Sequence, residues 1–369
     1  MDRVDKELWK YEYWFASIKK VKNKTKRILR ENVQSAKDIY YIEETELRRY
    51  AKEEADTILE SKYTWNLEVE YEKLLREGIT CIPYFDAEYP KSLQALAAPP
   101  YAIYRKGKPL LEHTVKVAII GARQCSPYGE RMAIEFGETL AARGIEIISG
   151  LARGVDGAGH RGALNVGGRS FAVLGSGVDI CYPKEHIGLY VDIQERGGLI
   201  SEFPPGTKPL PQHFPARNRI ISAFADVILV MEAKEKSGSL ITADQALELG
   251  KDVYALPGPV NSALSFGCNR LIKQGAGILL SPEDLLEELH ISGDECVKNK
   301  LKNKIMLESQ ENMVYSCLGL YPKNVNQIME ETDMQISELM NQLISLQLKG
   351  YIEEISKNYY VRKTGFGGV

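Results

Sequence analysis

Between residues 115 and 280, short apolar runs recur at intervals that leave room for a helix between one run and the next. The runs are VKVAII (115–120), IEIIS (145–149), SFAVL (170–174), GLIS (198–201), DVILVM (226–231), DVYAL (252–256) and GILL (277–280). Helix-length segments lie between them at 128–143, 157–166, 184–196, 239–249 and 266–274. A further helix carries Arg217, Asn218 and Arg219 into the 226–231 strand. Short apolar runs without polar alternation read as strands buried on both faces. Their alternation with helices predicts an α/β fold, a Rossmann-like parallel sheet with helices on both sides. Ligands on such sheets sit at the carboxyl ends of the strands, beside the topological switch point.

The flanks follow other patterns. Residues 1–77 read as an N-terminal helical domain of helices joined by short turns. Residues 78–113 are rich in proline and tyrosine and read as an extended connector packed on the core, since Pro99-Pro100 rules out a helix there. The core spans 114–290, and a polar linker covers 291–304. In 305–369 three helical patterns, the last at 336–349, precede YIEEI and YYVRK, two strands around a short turn. Three helices and a hairpin predict a C-terminal winged-helix domain, a module whose third helix commonly enters a duplex groove.

Charge changes how these parts are weighed. The net charge is −3, but residues 1–113 carry 21 basic and 20 acidic side chains, 114–282 carry 17 and 16, and 283–369 carry 9 and 14. A nucleic-acid surface must therefore be a local patch on the first two regions. The acidic tail suits a protein contact or a regulatory role better than duplex reading. Within 1–77 the segment KKVKNKTKRILR (19–30) holds seven cations and no acid. It reads first as a solvated helix face, because the glycine turn of a helix-hairpin-helix DNA module is missing. The six cysteines are scattered, without a Cys-x-x-Cys pair, and suggest reduced, mostly buried thiols of a cytoplasmic protein. The dispersed histidines predict no metal site, and no apolar run has membrane-spanning length.

The strand ends carry the candidate chemistry. After the first core strand comes Gly121-Ala122-Arg123, where a dinucleotide fingerprint needs Gly-x-Gly-x-x-Gly, and the next strand ends in Ser149-Gly150 rather than an acid. There is no P-loop sequence either. The sequence thus argues against a nicotinamide or flavin dinucleotide and excludes a P-loop ATPase; no cofactor is expected, and Arg123 presents a guanidinium to an external anion. The glycine-dense GLARGVDGAGHRGAL (150–164) is a candidate anion nest, with Asp156 as a helix cap. His160 there is a candidate base, though a hydrogen-bonded packing histidine is the commoner case. Lys184 follows the third strand, and Lys208, Arg217, Asn218 and Arg219 follow the fourth. Ser237, Gly238, Ser239 and Thr242 open the helix after DVILVM, where free amides and the helix dipole favour a phosphate. Tyr182, Phe203 and Phe214 are the candidate stacking partners for bases, and Arg270 and Lys273 are candidate rim cations. Glu232, closing the DVILVM strand, is the best acid/base for a rival reading, a nucleotide-binding or nucleotide-hydrolysing enzyme of N-glycosidase type. A cap or an ion-pair partner of Arg217 or Arg219 is the commoner role for such a carboxylate.

Taken together, VAIIGARQCSPYG, ISGLARGVDGAGHRGAL, VLGSGVDICYP, FPARNRIIS, VMEAKEKSGSLITADQALELGKDVYALPG and GCNRLIKQGA resemble, in order and spacing, the DNA-processing protein A (DprA/Smf) family. The resemblance extends over YFDAEYPKSLQALAAPPYAIYRKG and the winged helix, and is weak over residues 1–77. It implies a non-enzymatic binder of single-stranded DNA that protects incoming strands and loads a RecA-type recombinase in natural transformation. It further implies a homodimer formed through the Rossmann-like core. Carried over by motif, the DNA contacts include Arg123, Lys184, Arg217, Asn218 and Arg219; the reading of the strand ends adds Gly121, Ser237, Gly238, Ser239 and Thr242, with no catalytic residue and no metal expected.

Overall fold

In the computed structural model, residues 3–291, 309–318 and 322–362 are described. The chain divides into two compact units, 1–288 and 289–369, each with its own hydrophobic core. Most of the expected linker 291–304 lies outside the described residues. Among the described residues no helix is long and apolar enough to cross a membrane.

The first unit begins with six helices, α1 (Arg3–Ser17), α2 (Asn23–Asn32), α3 (Ala36–Tyr41), α4 (Glu44–Ala51), α5 (Ala55–Thr64) and α6 (Leu67–Arg76). Their apolar faces close around Trp14, Phe15, Leu29, Ile39, Leu47 and Ile58, all fully buried. Ser35 and Asn66 cap α3 and α6 by accepting the amides of Asp38 and Val69. The cationic segment 19–30 is divided by packing. Lys19, Lys20, Lys22 and Lys24 are exposed, whereas Lys26 is buried with its ammonium on the Ala16 carbonyl at 2.6 Å. Arg30 pairs with Glu12 at 3.0 Å, in a buried network with Tyr101. Arg27 reaches the Pro100 carbonyl at 3.2 Å and lies 4.4 Å over the Tyr84 ring. Three of the seven cations therefore bind this helical layer together or to the connector rather than facing solvent.

The connector is extended, as the prolines require, and it joins the sheet. Strands β1 (Ile79–Pro83) and β2 (Ala102–Gly107) pair antiparallel, and β2 pairs antiparallel with a core strand, Tyr104 opposite Ser201. The core supplies β3 (Lys116–Ile120), β4 (Glu146–Ser149), β5 (Ser170–Val173), β6 (Gly198–Ser201), β7 (Val227–Val230), β8 (Asp252–Ala255) and β9 (Gly277–Ile278). Between them run α7 (Pro127–Ala142), α8 (Val155–Asn165), α9 (Ile187–Arg196), α10 (His213–Phe224), α11 (Gly238–Glu248) and α12 (Phe266–Lys273). Helix α13 (Pro282–Glu288) follows β9. Strand order is β1-β2-β6-β5-β4-β3-β7-β8-β9, with every pairing from β6 to β9 parallel.

Every residue of β4, β5, β6 and β7 is buried. Each large aliphatic side chain there contributes roughly 1.5–3 kcal/mol by leaving water, and polar alternation would forfeit that on one face. Helices α7 and α8 lie against each other where glycines remove side chains. A Cβ on Gly137 would stand 2.6 Å from the Gly159 carbonyl, and one on Gly162 would strike the Ile134 carbonyl. Much of the glycine density in 150–164 thus serves helix packing. Of these glycines only Gly154 takes a positive φ, +72°. From β3 the chain winds outward through β4, β5 and β6, then returns to β7 on the other side of β3. The switch point lies between β3 and β7, which are registered Ile120 to Val230.

The second unit contains α14 (Ser309–Cys317), α15 (Val325–Thr332), α16 (Ile336–Leu348), and strands β10 (Lys323–Asn324), β11 (Ile352–Ser356) and β12 (Tyr359–Arg362) in the order β10-β12-β11. Asn324 and Gln327 close a reciprocal capping box at the start of α15. Val314, Ile328, Leu339, Leu343, Leu346 and Tyr360 form the core. This is the winged helix expected from the sequence.

Candidate nucleic-acid interface

A cleft of about 360 Å³ opens at the switch point, between the carboxyl ends of β3 and β4, the face of α10 and the first turn of α11. Its lining includes Gly121, Arg123, Arg217, Asn218, Lys236 and the run Ser237-Gly238-Ser239 with Thr242. The α11 turn is assembled by short-range bonds. Ser237 is the N-cap, accepting the Ser239 amide at 3.4 Å, and its hydroxyl meets that of Ser239 at 2.7 Å. The Gly238 carbonyl receives the Asn218 amide at 3.3 Å and the Thr242 hydroxyl at 3.4 Å. A Cβ at the exposed Gly238 would have nothing within 4 Å, so the backbone here is open to an approaching ligand. The helix N-terminus contributes roughly half a positive charge at this point.

Arg123 is exposed at the rim, its guanidinium 5.4 Å over the Phe214 ring. Phe214 in turn lies 5.6 Å from Tyr182, which is 46% exposed and therefore able to receive a base. The third candidate aromatic, Phe203, is stacked on His213 at 4.1 Å and 24°. The loops after β5 and β6, which carry Tyr182 and Phe203, are tied to each other. The Gly206 amide donates to the Asp179 carboxylate at 2.8 and 2.9 Å, and the Gly177 amide to the Thr207 carbonyl at 2.9 Å. Lys184 stands exposed two residues past Tyr182, outside the cleft lining.

Arg217 is the floor rather than the rim. It is 3% exposed, donates to the Val173 carbonyl and crowds Gly150, where any Cβ would strike the guanidinium. Burial pulls its pKa down to about 10; the nearby Asp156 carboxylate opposes the shift and Arg123 adds to it. Asp156, expected as a cap, instead reaches back to accept the Gly150 amide at 3.1 Å, and the N-cap of α8 is Gly154 with no side-chain bond. Burial raises the Asp156 carboxyl, against the pull of Arg217.

Arg219 lies off the cleft. It pairs with Glu202 and donates to the Ala98 carbonyl at 2.8 Å. Two residues along a helix is a rotation of about 200°, so Arg217 and Arg219 cannot share one face. Lys208, Arg270 and Lys273 are exposed and likewise outside the cleft lining. Lys236, which does line it, was not singled out in the sequence; its signal is a cation directly before the Ser237 cap.

Two candidates for acid/base chemistry have structural partners. Glu232 is buried and accepts both the Ser126 amide at 2.8 Å and the Ser126 hydroxyl at 2.6 Å, anchoring the start of α7. A Cβ on Gly129 would stand 2.5 Å from that carboxylate, which accounts for the glycine. Glu232 is thus a cap, as the commoner reading held, and it serves α7 rather than Arg217 or Arg219. His160 is fully buried with Nδ1 on the Ser170 hydroxyl at 2.7 Å, and burial, His186 and Arg217 push its pKa down to about 3. It is a packing histidine.

The winged helix offers little to a phosphate backbone. Lys323 pairs with Glu331, Lys349 with Glu311, and Arg362 donates to the Tyr315 and Ser316 carbonyls. Lys357, at the wing, is the one cation among the described residues of this unit without a polar partner. On α16, Ile336, Ile344 and Leu348 are exposed at 56%, 50% and 84%, where a duplex reader would carry polar and cationic groups.

Comparison with known proteins identifies the family and the fold. The family model described as DNA recombination-mediator protein A matches residues 80–290, and that of the DprA winged helix domain matches 302–356. Protein Smf of Escherichia coli is 40% identical over 285 residues, covering 75% of this chain and 76% of that one. The DNA processing protein DprA of Bacillus subtilis is 40% identical over 214 residues, 58% of this chain and 72% of its own. The X-ray structure of DprA from Streptococcus pneumoniae superposes with a TM-score of 0.66 at 32% identity, covering 76% of this chain and 97% of that one. DNA processing protein A from Helicobacter pylori, described for its single-stranded DNA binding mode, gives a TM-score of 0.53 at 30% identity over 57% and 95%.

Proposed function

The chain belongs to the DNA recombination-mediator protein A family, and from that premise we propose that it is a non-enzymatic binder of single-stranded DNA that passes the strand to a RecA-type recombinase. The observation carrying this reading is the convergence of Arg123, Lys236, the buried Arg217 and the α11 N-terminus on one open cleft at the switch point. A pocket for a single phosphate needs fewer positive groups. Phosphates would meet Arg123, Lys236 and Lys184 and the amides around Gly121, Gly238 and Ser239. Arg217 supplies fixed charge from below, with Asn218 and Thr242 holding the turn. Tyr182 and Phe214 would take bases by stacking, which is tolerant of sequence and adds about 1–3 kcal/mol per base. A homodimer through the core would double the track. The rival hydrolase loses its acid/base, because both Glu232 oxygens are held by Ser126. The winged helix, with Lys323, Lys349 and Arg362 engaged and exposed apolar residues on α16, fits a protein contact.

Fluorescence anisotropy on an oligothymidylate, beside a duplex of equal length, tests the reading. Binding is expected to favour the single strand. With about four phosphates neutralised, log affinity should fall with log salt at a slope near −3. Arg123→Ala and Lys236→Ala should each flatten that slope by about 0.7. Equal affinity for both nucleic acids would refute the proposal, and unchanged slopes in both variants would move the track off this cleft.

A further inference from the structure

Arg219 sits in the motif next to two cleft residues, yet its guanidinium points into a junction of three segments. Glu202, at the end of β6, takes one nitrogen, and the Ala98 carbonyl of the connector takes another. The Glu202 carboxylate is only 9% exposed; its Oε2 takes Arg219 and its Oε1 has no hydrogen-bond partner, so Arg219 supplies the one side-chain bond it has. Two residues beyond Ala98, the Pro100 carbonyl receives both the Tyr89 hydroxyl at 2.8 Å and Arg27 of α2 at 3.2 Å. Leu93 and Leu96 of the same connector segment share a buried cluster with Ile220 and Phe224 of α10. The N-terminal helices, the connector and α10 are therefore joined in one chain of contacts. It runs from Arg27 to Pro100, Ala98 and Arg219, and the helix it ends on carries Arg217 and Asn218 into the cleft.

We infer that Arg219 is a positioning residue, which clamps α10 against the 96–100 segment, and that the N-terminal helical layer acts on DNA binding through this clamp by way of Arg27. The inference rests on the single-strand reading of the cleft. It assigns the layer a task that needs no DNA contact of its own. A planar guanidinium can bridge a carboxylate and a carbonyl at fixed angles, and an ammonium cannot do so in the same geometry.

A phosphate contact and a clamp have opposite signatures in a salt series on an oligothymidylate, with thermal melts as a control of folding. For a clamp, Arg219→Ala, Arg219→Lys, Glu202→Gln and Arg27→Ala each weaken binding by about three- to tenfold, within the tenfold that corresponds to 1.4 kcal/mol. The salt slope stays that of the wild type in all four. The Arg27→Ala/Arg219→Ala double variant is then no weaker than the weaker single one, as expected for two links of one chain. For a phosphate contact, Arg219→Ala flattens the slope by about 0.7, Arg219→Lys retains binding, and Glu202→Gln binds as tightly as wild type or more so. That second pattern overturns the inference. So does wild-type affinity in Arg27→Ala, which would sever the N-terminal layer from the clamp. Should the Ala variant fail to fold, Glu202→Gln and Arg219→Lys still separate the two patterns. Failure of the underlying reading looks different, since the wild-type chain itself would then show no preference for the single strand.

Discussion

Arg217→Ala is expected to remove most of the single-strand affinity and also to lower the unfolding free energy by about 3 kcal/mol, at the low end of the cost of leaving a buried charge without its nearby counter-charge. Arg123→Ala should do the first and leave stability within about 0.5 kcal/mol, the usual range for a surface substitution. The difference lies in burial. Arg123 is exposed over Phe214, whereas Arg217 is 3% exposed beside a buried Asp156. Removing the guanidinium leaves the Asp156 carboxyl without the charge that offsets its desolvation, and opens a void beside Gly150 and Val173. Urea melts of the two variants, read beside their oligothymidylate affinities, measure both quantities. If Arg217→Ala melts like the wild type, the proposed coupling between Asp156 and Arg217 is absent. If it melts early but binds normally, the charge under the cleft plays no part in holding DNA.

The second large effect is on acid stability. His160 has a folded pKa of about 3 against an ordinary 6.5, because burial, His186 and Arg217 all disfavour its protonated form. As pH falls below about 6.5 the unfolded chain takes up this proton and the folded one does not. Stability should therefore decline by about 1.4 kcal/mol per pH unit from this group alone, until the folded ring titrates near 3. The buried carboxyls Glu12, Asp156 and Glu202 have raised pKa values and act in the opposite sense, gaining stability as pH falls through them. The His160 contribution is thus read as a difference. His160→Gln, able to keep a bond to Ser170, should show a flatter loss of stability from pH 6.5 to pH 4.5 than the wild type. Parallel profiles for the two proteins would remove His160 as the source.

The core of the fold was legible along the chain because each element depends on neighbours a few residues away. Unbroken apolar runs became parallel strands within a residue or two of their expected ends, and Ser237 marked a real cap. The winged helix was readable for the same reason, from helical periodicity followed by a hairpin. The absence of a dinucleotide glycine beside Arg123, and the family motifs, pointed to the strand ends at which the cleft opens. The connector was less legible. Its two strands belong to the sheet only because β2 meets β6, more than ninety residues later in the chain.

What the amino-acid order determined by itself was therefore the strands and helices of the core, the parallel sheet and the family. The tertiary structure alone decided what each charge does. Arg217 and Arg219 are two letters apart, but the helix turns them to opposite sides, one under the cleft and the other onto Glu202 and Ala98, the latter 121 residues distant. Glu232 is a cap because Ser126, 106 residues earlier, meets it across neighbouring strand ends. Lys26, Arg27 and Arg30 are drawn from a cationic run into packing by carbonyls and carboxylates brought to them by the fold. Periodicity and capping are local and short in range, so they are written in the sequence. A charged side chain takes its role from the partner that folding places opposite it, and that partner is usually far away along the chain.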